Sequence, residues 1–566
     1  MRIQLSRYRH FLLDIVFLAA IFWAARYFYS AQFGLYEDDL TRIPEAISMS
    51  LAGIWDHLVF LMTRYYANRP LHEGFIYILS WLGWQVNNLW GAYWVGYLIT
   101  IGNLVLYYLL LVKIHSRLLG LLGGLAYALF SADTTQAYLT MSLGGQVSNT
   151  LLLLAFHAYL FGSRWISYVL VYPIILFAYE TPFLVFMAAP LLDKLESSKQ
   201  FWKNLIVHIS ILAAMLLSSF IMRYAQGGTI DFELGYRETA FTTVLHVIQG
   251  PMVALGTYLL RPYQVLMALD PVAGVVSLLS FVVIAFYLYK VNLVGEIKLE
   301  HVFNAIRKRN FSELDSQTSF LVQLVAAGFV MLLLAYPMTF TTRLVAISGR
   351  TTRGHLAGVS GASLIIAAFA YALLTVLSHY HQRKLATLLL SGWFALLVGF
   401  GLMIQQDYVK AWQAQRGFWA ELLPLIQDAS PGTAILIQPE GFEDFLQIGA
   451  NTWNLSRVLN QLFIFPDEAM SVPRVYRLLP GWQERIILED GSFQVNWETV
   501  TAPPDNYGTF ESGDVIIIST KDDMMKRVDG LLEINGTSYL LKPQAVPVLP
   551  SLPRGVLYQL LIDTSP

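Results

Sequence analysis

Three adjacent carboxylates, Glu37, Asp38 and Asp39, stand where the first long apolar segment of the chain ends. Like charges at this spacing repel one another, so at least one should titrate high unless a cation or a hydrogen-bond donor neutralises it. A carboxylate within reach of a substrate hydroxyl can act as a general base. The alternative is a solvated acidic cap on the helix that follows, for which Thr41 is the expected N-cap residue.

A second group of residues able to do chemistry contains Arg343, Arg350 and Arg353, set among threonines, a serine and glycines. Guanidinium groups together with hydroxyls and glycine amides suit a phosphate. The alternative is that these arginines meet anionic lipid headgroups.

A third group begins at Arg69 and continues through His72 and Glu73. His72-Glu73 could open a zinc-protease motif, but position 76 is Ile76 where the second histidine should stand, so that motif is excluded. Neither a P-loop nor a dinucleotide-binding glycine pattern occurs in the chain. Arg69, His72 and Glu73 are therefore candidates for a pocket of another kind.

Glu180 joins these pocket candidates because it lies between two apolar stretches, two residues before Pro182. An ionisable residue at a helix break is a feature of transporters. The alternative is a turn at the outer surface of the membrane.

Composition limits what can position these residues. Of 566 residues, 56% are hydrophobic and only 13% are charged, which indicates that most of the chain lies in lipid. A net charge of -2 favours no polyanionic partner such as nucleic acid. Because the chain has no cysteine, it has no disulfide, no thiolate metal site and no cysteine nucleophile.

A membrane-spanning helix needs about 20 mostly apolar residues. By this criterion we predict a polytopic α-helical membrane protein with about eleven transmembrane helices, at residues 11–30, 93–112, 118–132, 146–162, 165–180, 181–192, 203–224, 272–289, 317–336, 356–378 and 386–404. The basic N-terminus is expected in the cytoplasm, because lysine and arginine concentrate in short cytoplasmic loops.

This topology predicts two domains, a transmembrane domain over 1–404 and a soluble extracytoplasmic domain over 405–566. The stretch 241–269 contains Arg261 and is followed directly by Asp270, so we expect it to be an interfacial helix rather than a crossing. Strand-like runs at 433–437, 485–488 and 514–518, after a helix at 412–427, predict an α/β or α+β fold for the C-terminal domain.

The first outer loop, residues 31–92, is expected to be structured. Apolar residues recur at helical spacing, which predicts one amphipathic helix on the membrane surface. The residues of this stripe are Ile43, Ile47, Leu51, Ile54, Leu58 and Leu61.

This layout resembles the GT-C superfamily of membrane glycosyltransferases, in particular the protein O-mannosyltransferase and aminoarabinose transferase branch. Glu37-Asp38-Asp39 matches the family's first-loop acidic motif, and Arg69-Pro70-Leu71 resembles its Pro-Pro-Leu stretch. Residues 178–182 stand where that branch often has a lysine or glutamate followed by threonine, and residues 343–353 where it has a phosphate-facing arginine segment. The family's more usual acidic pair is Asp-Glu, so the motif leaves open which of the three acids is catalytic.

The resemblance implies transfer of a sugar from a polyprenyl-phosphate donor to a hydroxyl of a lipid, glycan or protein acceptor, with inversion if displacement is direct. Asp38 would be the base, while Asp39 and Glu37 would orient the acceptor or a divalent cation, Mg²⁺ or Mn²⁺. Arg343, Arg350 and Arg353 would hold the donor phosphate. The expected location is the inner or plasma membrane.

Two other function classes remain open. One is a transporter or flippase of lipid-linked sugars, which Glu180 favours. The other is an envelope polysaccharide ligase or polymerase, which would rely on histidine and arginine in outer loops.

Overall fold

The computed structural model describes residues 2–64, 69–135, 137–193, 198–225, 235–291, 316–339, 346–438, 455–465, 472–479, 481–488, 491–496, 498–501, 507–519, 524–534 and 536–563. Most of them are helical. The α-helices are Arg2–Arg26, Asp39–Ser48, Leu51–Arg64, Pro70–Ile114, Arg117–Ala128, Gln146–Phe161, Arg164–Phe177, Ala189–Leu192, Ser198–Ala225, Gly235–Ala268, Pro271–Lys290, Ser316–Leu334, Val359–His379, Arg383–Leu425, Leu455–Leu462 and Val556–Tyr558.

Within these residues, eight helical segments are long and apolar enough to cross a membrane. They are Arg9–Gln32, Pro70–Ile114, Lys199–Ala225, Arg237–Ala268, Pro271–Lys290, Gln317–Leu334, Arg350–His379 and Arg383–Leu425. The chain is therefore a multi-pass helical protein by length and composition, and the expected count of eleven stays a prediction.

The difference in count comes from the segment between 117 and 192. Arg117–Ala128, Gln146–Phe161 and Arg164–Phe177 are helices of 12, 16 and 14 residues. The predicted span 181–192 is not one helix, because a 3₁₀ segment at Leu184–Ala188 is followed by the four-residue helix Ala189–Leu192.

Conversely, the predicted interfacial stretch 241–269 lies in the 34-residue helix Gly235–Ala268, which is long enough to cross. The objection that its charges forbid a crossing fails for Arg261, because that side chain is only 1% exposed and is buried in protein rather than facing lipid.

The helix Pro70–Ile114 contains a kink at Asn87 and Asn88, whose backbone angles are not helical. Asn88 has a φ of 48° and a ψ of -145°, a positive-φ conformation that is uncommon for a residue other than glycine. The predicted span 93–112 is the part of this helix after the kink.

The chain divides into two compact units. The first unit contains residues 1–31 and 51–406, and the second contains residues 32–50 and 407–566. The acidic triplet therefore packs with the C-terminal part of the chain.

The predicted amphipathic helix of the first outer loop is two helices, Asp39–Ser48 and Leu51–Arg64. The backbone is extended at Met49, where the first helix ends, and the two helices belong to different units. Thr41 is not the N-cap, because the helix already begins at Asp39 and the Thr41 hydroxyl donates instead to the Asp38 carbonyl, at 3.0 Å.

The second unit is built on a five-stranded sheet in the order β4-β2-β1-β6-β7. The strands are β1 (Ala434–Ile437), β2 (Arg474–Leu478), β3 (Phe493–Val495), β4 (Val500–Thr501), β5 (Gly508–Phe510), β6 (Val515–Ser519), β7 (Lys526–Arg527), β8 (Leu531–Ile534) and β9 (Thr537–Leu540). The central strand β1 runs parallel to β2 and β6, and all four of its side chains are buried, as expected for a parallel strand covered on both faces. The strands β3–β5 and β8–β9 form two separate antiparallel pairs.

Two of the three predicted strand runs correspond to β1 and β6. The third, 485–488, contributes only an isolated bridge between Ile487 and Phe493. The predicted helix 412–427 is the end of the long helix Arg383–Leu425.

In the first unit, the helices Ser316–Leu334 and Val359–His379 approach closely through small residues. A side chain at Gly361 would have its Cβ 2.7 Å from the Gly328 carbonyl oxygen, so the contact requires glycine. This packing holds the helix that follows the arginine segment.

Candidate functional site

The acidic segment of the second unit is anchored through the residues just before it. The Tyr36 hydroxyl donates to the Tyr408 carbonyl at 2.9 Å and accepts from the Gly34 amide at 3.1 Å. A side chain at Gly34 would overlap the Trp412 ring, which lies 1.7 Å from an ideal Cβ. Burial raises the pKa of the Tyr36 hydroxyl, and the nearby Asp39 carboxylate raises it further.

The three acids differ in environment. Glu37 has a φ of 50°, a left-handed conformation that costs a non-glycine residue energy. Asp38 occupies the N-cap position of the helix Asp39–Ser48, yet its side chain makes no capping hydrogen bond. Asp39, in the first turn, is fully buried, whereas Glu37 and Asp38 are half-buried.

An ion pair between half-buried Arg69 and buried Glu180 brings the pocket candidates of the first unit together. Arg69 donates two hydrogen bonds to Glu180, at 2.7 and 2.6 Å, and its guanidinium lies 4.6 Å from the centre of the Tyr179 ring. The ring of His72 is 5.7 Å from the same tyrosine, and Glu73 is an electrostatic neighbour of Arg69. All four candidates therefore lie in one cluster.

The electrostatics of this pair favour a structural role. Burial alone would raise the pKa of the Glu180 carboxyl, but the Arg69 guanidinium holds it below its ordinary value. Burial opposes the charge on Arg69 as well, yet Glu180 raises the pKa of that guanidinium. Glu180 is thus a charged, bidentate partner of Arg69 rather than a general base. The pair joins the turn after Phe177 to the start of the helix Pro70–Ile114.

Two of the three predicted phosphate ligands, Arg350 and Arg353, lie in the 3₁₀ helix Arg350–Gly358, where both are half-buried. Arg343 lies outside the described residues. The segment packs against the loop after Arg117–Ala128, because the Thr134 amide donates to the Thr352 hydroxyl at 3.1 Å.

That loop contains a buried carboxylate, Asp133, which sequence reasoning missed. Its Oδ1 accepts from the amide and the hydroxyl of Thr135, at 2.8 and 2.7 Å, and Arg26 is an electrostatic neighbour. Burial raises the pKa of Asp133 despite these partners. Asp133 also lines a small cavity with Thr100 and Tyr127. The feature of the sequence that could have identified Asp133 is a single acidic residue between two apolar runs.

A second missed carboxylate, Asp14, is fully buried in the first long apolar helix. It accepts two hydrogen bonds from Arg117, at 2.6 and 2.7 Å, and one each from the hydroxyls of Tyr108 and Tyr287, both at 2.5 Å. An acid within an otherwise apolar run was the signal in the sequence.

Among the described residues, no group of three or more histidines and acids is arranged to hold a metal ion. A divalent cation bound by Glu37 or Asp39 stays a prediction. No protein-family model matches this chain, and no curated protein matches it either.

Proposed function

We propose that the chain transfers a sugar from a polyprenyl-phosphate donor to an acceptor hydroxyl at the outer face of a membrane, as a GT-C-like glycosyltransferase. The observation that carries this proposal is the conformation of the acidic segment. Asp38 stands at a helix N-terminus without capping it, next to a left-handed Glu37. Strained backbone beside a carboxylate that does not cap its helix favours a chemical role over a helix cap.

In the proposed mechanism, one of Glu37, Asp38 and Asp39 accepts the proton of the acceptor hydroxyl, with Asp38 as the first candidate. The hydroxyl oxygen bonds to the anomeric carbon while the bond from that carbon to the phosphate oxygen breaks, so the configuration inverts. The lipid phosphate leaves, and arginine side chains stabilise its charge. The acidic triplet and the arginine segment belong to different units, so each is tested on its own.

We further propose an odd number of crossings, eleven by the sequence count, with the N-terminus in the cytoplasm. Residues 32–50 and 407–566 form one compact unit that contains none of the eleven predicted crossings, so its two parts belong on the same side of the bilayer. This supports placing the acidic segment and the C-terminal domain together on the extracytoplasmic side.

The same-side arrangement is tested by single cysteines, which the native chain lacks. Cysteines at Ser48 and Ser551, both exposed, should react with an impermeant thiol reagent added from outside, whereas one at Ser163 should react only after permeabilisation. Labelling of Ser48 and Ser551 from opposite sides would contradict the topology.

The catalytic assignment is tested by Asp38→Asn, Asp39→Asn and Glu37→Gln in purified protein supplied with polyprenyl-phosphate sugars and candidate acceptors. We expect Asp38→Asn to lower the transfer rate about 100-fold or more, the usual contribution of general-base catalysis, with donor binding and thermal stability retained. Glu45→Gln, on the same helix, is the matched control for loss of one negative charge. Near-normal turnover in all three variants would show that none of the three acids is the general base, which contradicts the mechanism.

A lipid-linked sugar transporter is the second candidate, because Arg261 is a fully buried ionisable residue on a helix long enough to cross. Transport predicts movement of a lipid-linked sugar across a liposome membrane without covalent transfer.

A further inference from the structure

The backbone just before Arg350 is held by buried side chains. The Ala346 carbonyl lies 2.9 Å from His355 Nε2, and because a carbonyl only accepts, Nε2 carries the proton. His355 Nδ1 then accepts from the Tyr336 hydroxyl at 2.8 Å. His355 and Tyr336 are each 1% exposed, so this chain of hydrogen bonds is closed to water.

The next fixed point is Gly349. Its carbonyl accepts from the Thr352 hydroxyl at 2.7 Å, and its φ of 73° with a ψ of -165° is a conformation open essentially only to glycine. The Thr134 amide donates to the same Thr352 hydroxyl at 3.1 Å, so the loop 131–135 braces this turn from outside the segment.

Between these two points the Ile347 carbonyl accepts a hydrogen bond from the guanidinium of Arg261, on the helix Gly235–Ala268. Arg261 also donates to Gln264 Oε1 at 2.8 Å, and its guanidinium carbon lies 4.5 Å from the centre of the Phe400 ring. The hydrogen bond from Arg261 to the Ile347 carbonyl links this helix directly to the segment that contains Arg350 and Arg353.

Arg261 is a costly residue to bury. Only 1% of it is exposed, it forms no ion pair within the described part of the chain, and its Nε donates to no described residue. Arg26, a second buried guanidinium, is an electrostatic neighbour that repels it. Burying a cation without a counter-ion is unfavourable, so folding stability does not explain why arginine stands here.

We propose that Arg261 is a positioning residue for a phosphate site at Arg350 and Arg353. Its guanidinium group holds the Ile347 carbonyl and hence the backbone just before Arg350. Its charge, which no described residue neutralises, adds positive potential for an arriving phosphate, and in a low-dielectric interior that potential is weakly screened. The inference rests on the proposed function, because that function supplies the phosphate group.

The test uses the full-length protein in nanodiscs with one nitroxide label at a cysteine replacing Ser348, and a second preparation labelled at Ser551 as the control. In Arg261→Met the label at 348 should become more mobile while the label at 551 should not change. Unchanged mobility at 348 would overturn the positioning role, whatever the protein binds.

Binding of a polyprenyl monophosphate and of inorganic phosphate is measured on the same samples. We expect Arg261→Met to raise both dissociation constants by about tenfold or more, because one charged hydrogen bond and one charge no longer organise the site. The loss should be similar for the two probes, since Arg261 acts on the phosphate group and not on the lipid tail.

Arg261→Lys keeps the charge but not the planar fork, so it should recover part of the affinity and less of the rigidity at 348. If Arg261→Met does not fold, Arg261→Lys provides the same mobility measurement. The label at 348 could be immobile in the native protein and more mobile in these variants while the native protein binds no phosphate. That result would support the positioning role of Arg261 and reject the proposed function.

Discussion

Asp14 and Arg261 are both fully buried charges on helices long enough to cross a membrane, yet their surroundings are opposite. Each oxygen of Asp14 accepts two hydrogen bonds, from Arg117 and from the hydroxyls of Tyr108 and Tyr287. Arg261 meets a carbonyl, an amide oxygen and an aromatic ring, and among the described residues it has no counter-ion.

The difference separates two reasons for burying a charge. The Asp14 cluster joins the first helix to Pro70–Ile114, Arg117–Ala128 and Pro271–Lys290, so it is a brace whose partners satisfy one another. No described residue neutralises Arg261, and a positive charge beside the arginine segment attracts an anionic ligand. A satisfied charge therefore indicates structure, and an unsatisfied one indicates function.

The largest expected effect is at Asp14. Asp14→Asn keeps the shape but removes the charge opposite Arg117, and breaking a buried pair in this way typically costs about 3 kcal/mol or more. We expect a marked fall in the free energy of unfolding, measured by titration with denaturing detergent. Arg117→Gln and the double variant complete a double-mutant cycle, and an additive result would show that the pair is not a brace.

An intermediate effect is expected at the pair Arg69–Glu180, and it should depend on pH. The pKa of Glu180 in the folded protein lies below the ordinary value of about 4.3, so the pair stabilises fully above that pH. Its contribution is lost as the pH falls through the folded pKa, because the unfolded chain then binds the proton more readily. Thermal unfolding midpoints between about pH 6 and pH 3 should therefore fall more steeply in the native protein than in Glu180→Gln.

The exposed pair Arg164–Asp193, at 3.1 Å, provides the control for this measurement. Exposed pairs contribute about 0–1 kcal/mol, so Asp193→Asn should leave the acid-dependent loss of stability almost unchanged. Equal slopes for the native protein and Glu180→Gln would show that the pair Arg69–Glu180 does not stabilise the fold.

The smallest expected effect on stability is at Arg261, and it is the sharpest contrast with Asp14. Because Arg261 has no counter-ion among the described residues, Arg261→Met should change the free energy of unfolding by no more than about 1 kcal/mol, or increase it. The same detergent titration measures it beside Asp14→Asn. A fall in the free energy of unfolding as large as that of Asp14→Asn would show that Arg261 has a structural role like that of Asp14.

The apolar runs predicted most of the long helices, because a run of about 20 apolar residues has few other ways to satisfy its backbone. Between 117 and 192 the helices are shorter than the predicted crossings, and at 241–269, where a buried arginine looked like a barrier to crossing, the helix has 34 residues. Whether a charge faces lipid or protein depends on its neighbours in space, and neighbours distant in the chain leave no local pattern.

The candidate residues show the same division. Arg69 and Glu180 were identified separately, but their pairing joins positions 111 residues apart. The acidic triplet was visible at once, whereas its packing with the C-terminal unit was not.

The sequence by itself determined that the chain is a multi-pass helical protein with a polar C-terminal region, and that an acidic triplet and an arginine segment flank its apolar helices. These properties follow from composition and local periodicity. Only the tertiary structure decided that Asp38 does not cap its helix, that Asp14 is satisfied, and that Arg261 holds the backbone before Arg350. Such contacts arise because folding brings together donors and acceptors that are far apart in the chain, and a buried charge is defined by those partners rather than by its neighbours in sequence.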